Sequence, residues 1–390
     1  MTAHDCVDAT RSPLACPPSP DAHWTEWIRH GWAWAHYPVG RQRSCRPPTS
    51  ARSGASTRPQ RLSLDSYREA APGPRWQALF EATWPAYRSW YTAHDVEVRP
   101  TLAEARAALG QHMPELVPQW ERLVELTGDD ALAARMLTMW RMPAFGAGCS
   151  QAVVPGQEPL LVRNYDYDLQ LFEGVVASTN YSGRRRVIGT SDLLWGLLDG
   201  MNEDGLAVSL TLGGRPGSGD GFGIPIVLRY VLETCSDTEA AVAALCRIPV
   251  AQAYNISIVD TAGGHATVYV APGEPAEVSD LRAATNHRLT VVEHPHISDP
   301  LHSRQRQYTL FDALSDLEPG GSGSELVDAF TRRPLRTGAY DRGFGTLYTA
   351  AYRPAEGTVT YLWPGRSWTR HFDDEEAHID VHLSSEVDDD

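Results

Sequence analysis

The sequence predicts an α+β fold, and three observations carry the prediction. A strand, turn and strand follow Cys149: the apolar run Ala152-Val153-Val154, the turn signal Pro155-Gly156, then Leu160-Leu161-Val162. A long stretch of helical periodicity precedes that pattern. Helix-like and strand-like segments alternate after it. Pattern alone gives a mixed α and β chain without fixing its layers.

Residues 1–60 read as a disordered leader ending in a linker at 41–60. Trp24, Trp27, Trp32 and Trp34 offer one short amphipathic helix, set against a disordered leader or sequence translated from upstream of the true start. From 62 to 141 the apolar residues fall mostly three and four apart: Trp76, Leu79, Phe80, Trp84 and Tyr87, then Leu116, Trp120, Leu123 and Leu126, then Leu132, Met136 and Trp140. These stripes are read as core faces of helices.

Past the Cys149 hairpin, 189–212 reads as further strands broken by Asn202-Glu203-Asp204-Gly205, a solvated turn. Helices are expected at 224–234 and 238–245, with Ser236-Asp237 as the N-cap between them. Strands are expected at 253–260 and 265–271, then at 281–285, just before Asn286 and His287. Arg304 opens a helix running to about 314, and 347–352 with 358–362 form a closing hairpin. The tail from His371 carries nine acidic residues and no lysine or arginine, and is expected to be solvated and partly disordered.

The chemistry is concentrated at Cys149. A hairpin of this length returns Arg163 and Asp166 to its side, and a guanidinium beside a thiol lowers its pKa and makes it a nucleophile. Gly146, Ala147 and Gly148 are expected to leave the Gly148-Cys149 peptide bond unshielded, as an N-to-S acyl shift and self-cleavage require. The plain alternative is a buried structural cysteine at a strand start.

The junction Gly148-Cys149 followed by Arg163-Asn164-Tyr165-Asp166 resembles the linear-amide hydrolases of the N-terminal nucleophile class. Choloylglycine hydrolases, penicillin V acylases and isopenicillin N acyltransferases belong to that class. The blocks Gly200-Met201-Asn202-Glu203-Asp204-Gly205-Leu206, Ala284-Thr285-Asn286-His287, Ser303-Arg304 and Thr346-Leu347-Tyr348 continue the resemblance in order. Met113-Pro114-Glu115-Leu116 and Ala134-Arg135 are similar to the acyltransferase branch. Thr211 and Leu212 stand where choloylglycine hydrolases carry a second active-site asparagine.

The resemblance implies a four-layer αββα sandwich in residues 149–372, preceded by a helical pro-segment at 61–148 and followed by the acidic tail at 373–390. It implies cleavage between Gly148 and Cys149, with the new α-amine as base. Asp166 would orient the amine, Arg163 would stabilise the thiolate, Asn286 would hold the oxyanion, and Arg304 would lie buried near the nucleophile. Asn164 and His287 are secondary candidates. Neighbouring strand residues face opposite ways, so only one of Asn286 and His287 can point at Cys149. The expected activity is hydrolysis or acyl transfer on a linear amide through a thioester. A non-catalytic binder of small acyl compounds and an uncleaved Cys-His hydrolase are the alternatives.

Composition fits such an enzyme. At 390 residues and 42% hydrophobic the chain can bury a large core, and its net charge of −15 argues against nucleic acid and anionic membranes as partners. No apolar run reaches a membrane span, so a cytoplasmic enzyme is expected. The six cysteines show no Cys-x-x-Cys spacing, which argues against a zinc site. No metal or cofactor is expected; an acyl-coenzyme A would enter only as a co-substrate. The expected partner is a small amide or acyl compound. The two fragments are expected to stay associated after cleavage, since their apolar faces have nowhere else to go, and a homo-oligomer is left open.

Overall fold

The computed structural model describes residues 59–92, 99–143, 146–318, 321–340 and 344–385. Except for Pro59 and Gln60, the expected leader and linker lie outside the described residues, as do the last five residues of the tail.

The chain opens with β1 (Gln60–Glu69), then α1 (Pro74–Thr92), α2 (Leu102–His112), α3 (Val117–Leu126) and α4 (Ala131–Leu137). Thr101 caps α2 in a capping box with Glu104, and Asp130 caps α4, so the orphan N–H groups at both helix starts find acceptors. The strands β2 (Gly148–Val154), β3 (Leu160–Tyr167), β4 (Val175–Thr179), β5 (Val187–Asp192), β6 (Gly196–Asn202) and β7 (Leu206–Leu212) follow. Next come α5 (Ile224–Thr234), α6 (Thr238–Arg247), β8 (Tyr254–Asp260), β9 (His265–Val270), β10 (Glu277–Ser279) and β11 (Ala283–Ala284). The chain closes with α7 (Pro295–Ser298), α8 (Ser303–Ser315), α9 (Ser324–Phe330), β12 (Gly345–Arg353), β13 (Thr358–Trp363), β14 (Arg366–His371) and β15 (Ala377–Leu383).

Two sheets result. One has the order β10-β9-β8-β7-β6-β5-β4-β1-β15, the other β11-β2-β3-β12-β13-β14. β2 and β3 pack on β7 and β8, which stacks one sheet on the other. α5 and α6 cover the outer face of the larger sheet, and α8 and α9 that of the smaller. This is the four-layer αββα sandwich. Its middle strands are covered on both faces, which is why β7 is buried at every position and β2 and β3 at all but their last.

Two expectations are corrected. The segment expected to be helical from 62 begins as a strand: β1 pairs with β15 on one side and β4 on the other. Leu62, Leu64 and Ser66 alternate with more exposed residues, the period of a half-buried strand. The tail expected to be solvated forms β15, where Ile379, Val381 and Leu383 face the core and the charged residues face out. Among the described residues no helix is long and apolar enough to cross a membrane.

Candidate active site

Cys149 is the second residue of β2 and is fully buried. Gly156, at φ 138°, lies in the turn that returns the chain as β3, and the register sets Gly148 against Asp166, Cys149 against Tyr165 and Gln151 against Arg163. Alternation along β3 then divides the neighbours. Arg163 and Tyr165 face the larger sheet, while Asn164 and Asp166 face α8 and α9.

On the inter-sheet side, Arg163 Nη2 lies 3.4 Å from Cys149 Sγ, and its guanidinium sits 4.8 Å from the centre of the Tyr165 ring. Arg163 Nη1 pairs with Asp199 of β6, both side chains being wholly buried. Asp199 also accepts from Thr190 Oγ1 at 2.8 Å, Tyr348 OH at 2.6 Å and Tyr352 OH at 2.5 Å. Three hydroxyls and a guanidinium thus hold this buried carboxylate and, through it, the arginine.

On the helix side, Asp166 Oδ1 accepts from Thr346 Oγ1 at 2.6 Å, and Oδ2 lies 3.6 Å from Arg306 Nη1. Arg306 reaches the backbone of Cys149 itself. It donates to Cys149 O at 2.5 Å, to Ser150 Oγ at 2.6 Å and to Asn286 Oδ1 at 2.6 Å. Asn286 Oδ1 also accepts from Cys149 N at 3.2 Å, and Asn286 Nδ2 donates to Leu212 O at 3.1 Å and Ala147 O at 3.4 Å. One carboxamide therefore bonds the chain on both sides of the Gly148-Cys149 junction.

The structure brings Cys149, Arg163, Asp166 and Asn286 together as expected and corrects the rest. Arg304 is exposed; the buried arginine is Arg306. The inward stripe of α8 is Ser303, Arg306, Gln307, Leu310 and Leu314, which leaves position 304 on the outer side. Asn164 donates to Phe330 O and Leu335 O and accepts from Thr349 Oγ1, so it ties the end of α9 to the sheet and takes no part beside the thiol. His287 lies beyond the end of β11 and bonds Ser303 and Gln307 rather than Cys149. The junction is not unshielded either. Gly146, Ala147 and Gly148 are buried, and a Cβ on Gly148 would come within 2.9 Å of the Phe344 ring and 3.2 Å of Asp166 Cβ. Small residues here permit close packing rather than exposure.

Burial pushes the Cys149 thiol up from its ordinary pKa. Arg163 and Arg306 pull it down, Asp166 pushes it further up, and burial prevails. Burial likewise raises Asp166 against the opposing pull of Arg306 and Thr346. Sequence reading missed Arg306 and Asp199. The first was legible in the spacing of Arg306, Leu310 and Leu314; the second, a lone aspartate before Gly200, gave no signal.

Two stacked sheets between helical layers, with a Gly-Cys junction at the head of an inner strand, are the layout of the N-terminal nucleophile fold. The chain belongs to the family described as acyl-coenzyme A:6-aminopenicillanic acid acyl-transferase, which matches residues 153–368, more than half of its length. No curated protein matches the chain. Among solved structures, a mutant conjugated bile acid hydrolase from Clostridium perfringens is 12% identical over 62% of this chain and 99% of its own, with a TM-score of 0.40. The N-acylethanolamine-hydrolyzing acid amidase ortholog of Caenorhabditis elegans is 17% identical over 53% of this chain and 93% of its own, TM-score 0.41. Penicillin V acylase from Agrobacterium tumefaciens is 14% identical over 55% and 82%, TM-score 0.39. At such scores these likenesses add nothing to the assignment, which stands on the family match.

Proposed function

We propose that the chain cuts itself between Gly148 and Cys149 and then works as a cysteine amidohydrolase or acyltransferase on linear, non-peptide amides. The observation that carries this reading is the Asn286 carboxamide bonded to both Cys149 N and Ala147 O.

In the cut, Cys149 Sγ attacks the Gly148 carbonyl carbon, the C–N bond breaks as nitrogen takes a proton, and a thioester remains. Water hydrolyses it to a Gly148 carboxylate, a free thiol and a free α-amine on Cys149. That amine, with an unperturbed pKa of about 7.7 to 8.0, is the base that the buried thiol lacks before cleavage. It takes the thiol proton, and the thiolate beside Arg163 attacks the substrate carbonyl.

As the carbonyl oxygen gains charge, the Asn286 N–H that faces Ala147 O in the uncut chain is free to donate to it. Asn286 Oδ1 and the Asp166 carboxylate hold the amine on the helix side. Collapse expels the substrate amine with its proton and leaves a thioester. Water ends the cycle in a hydrolase, and an acceptor amine ends it in a transferase. An acyl-coenzyme A, the donor in the family's description, would load the same sulfur; this reading requires no cofactor. A cytoplasmic location is part of the same proposal.

Intact-mass spectrometry of the purified protein tests the reading. Two masses divided at Gly148-Cys149 are expected from the wild type, and a single uncut chain from Cys149→Ala. Full cutting of the alanine variant, or an uncut but active wild type, overturns it.

A further inference from the structure

Behind Asn286 lies a chain of hydrogen bonds that the reaction above does not use. Asn286 N donates to Ser303 Oγ at 2.7 Å, Ser303 Oγ lies 2.7 Å from His287 Nδ1, and His287 Nε2 lies 2.9 Å from Gln307 Oε1. Gln307 Nε2 donates to Leu289 O at 2.7 Å. That last bond fixes the proton on His287 Nε2. A backbone carbonyl only accepts, so the amide end of Gln307 must face Leu289 and its oxygen must face His287. His287 therefore donates from Nε2, and with burial keeping the ring from taking a second proton, Nδ1 is left to accept from the Ser303 hydroxyl, which also lies 3.0 Å from Thr285 Oγ1.

The rest of the surroundings agree. His287 is buried to 1% exposure, and burial, with Arg306 and Arg304 of α8 acting on the ring, holds its pKa below the ordinary value despite the Gln307 bond. The carbonyl of the same residue is held too, Ser298 Oγ donating to Asn286 O at 2.7 Å. The backbone that aims the Asn286 carboxamide is thus bracketed by two serines, one of them set by a histidine.

We propose that His287, as the neutral Nε2–H tautomer, is a positioning residue: through Ser303 it fixes the Asn286 backbone and aims the carboxamide at the acyl-transfer centre. This rests on the reading of Cys149 and Asn286 given above. A proton on Nδ1 would turn that nitrogen into a donor, force the Ser303 hydroxyl round to Thr285 Oγ1, 3.0 Å away, and set a positive charge against Arg306.

The test uses the full-length wild type and its His287→Ala, His287→Asn and Ser303→Ala variants, with the 7-amido-4-methylcoumarin amide of a short fatty acid as probe. His287→Ala and Ser303→Ala should each lower kcat by about tenfold or more with KM changed less than about twofold. His287→Asn, which returns a neutral acceptor near the place of Nδ1, should recover most of the rate. Histidine-selective 15N NMR of the wild type, assigned by the signal lost in His287→Asn, should show the neutral Nε2–H form at pH 7. A protonated ring, the other tautomer, or an asparagine variant as slow as the alanine one overturns the proposal while the wild type still cuts and turns over. A wild type that neither cuts nor turns over the probe removes the centre His287 would serve and overturns both readings, which the mass spectrum distinguishes.

Discussion

Arg306 and Asn286 are joined by a 2.6 Å bond from guanidinium to carboxamide, and each also bonds the backbone of Cys149, one at its carbonyl and one at its N–H. Cys149 is thus held by its main chain on one side, while Arg163 lies against its sulfur on the other. Arg306→Gln removes that hold and takes from buried Asp166 its ion-pair partner. Breaking a buried pair from one side costs about 3–5 kcal/mol, and cutting at Gly148-Cys149 should fail or slow sharply. Arg304→Gln, on the exposed side of the same helix, should alter stability by no more than about 0.5 kcal/mol and leave cutting intact. Urea denaturation and intact mass of the two variants, run side by side, would expose an interchange of their roles.

Asp166→Asn keeps the shape opposite Gly148 and removes the charge proposed to hold the amine. Turnover by the mature variant should fall by more than about tenfold, above roughly 1.4 kcal/mol of transition-state stabilisation. The fold should survive, because Arg306 keeps three other acceptors. Because burial raises this carboxyl in the folded chain, its ionisation lowers stability as pH rises through the folded value. An amide has no such loss at neutral pH. A rate near wild type, with thiol titration showing Cys149 free, would remove Asp166 from the machinery.

The buried carboxyls Glu173 and Asp192 should give the protein a further pH dependence. Tyr87 of α1 donates to Glu173 and lies 3.5 Å from Asp192 Oδ1, while Leu194 N donates to Glu173 Oε1 at 2.7 Å. Burial and then the Glu173 charge push Asp192 up to about 8. The folded chain thus keeps a proton that the unfolded chain has released, and stability is lost as pH rises between the unfolded value and about 8. The loss from this one site is about 1.4 kcal/mol per pH unit in that window. Thermal melting from pH 5 to 8 should show a decline that is shallower in Asp192→Asn. Parallel curves would mean that the carboxyl is already ionised in the fold.

β1 and β15 give the plainest test of the architecture. Removing residues 1–70 takes away a strand bonded on both sides, and removing 377–390 takes away its neighbour. Each truncation should give insoluble or uncut protein. A soluble, fully cut product from either would show that the larger sheet closes without that strand.

These strands also show what the sequence hid. The hairpin carrying Cys149, Arg163 and Asp166 was legible because its apolar runs are contiguous and its turn bears Pro155-Gly156. β1 was not, because Leu62 and Leu64 are followed at once by the long helical stripe of α1, and the stronger period masked the weaker. In β15, Ile379, Val381 and Leu383 alternate with Asp380 and the histidines His378 and His382, and the acidic composition of the tail concealed a period of two. Arg306 was passed over for Arg304 because both follow Ser303; only the inward stripe of the helix separates them. Asp199 was beyond reach, since its partners come from β3, β5 and β12 and meet only after folding.

The place of β1 in the larger sheet decides what a cut before Cys149 would do to reversibility. An uncut chain folds as one molecule, and its strands find each other at a concentration set by the tether. Once cut, the same sheet is shared by two molecules. Melting then depends on dilution, and a denatured sample returned to buffer must reunite its halves from solution. The protein would carry a record of having been made in one piece: assembled by a unimolecular step that it cannot repeat after it becomes active.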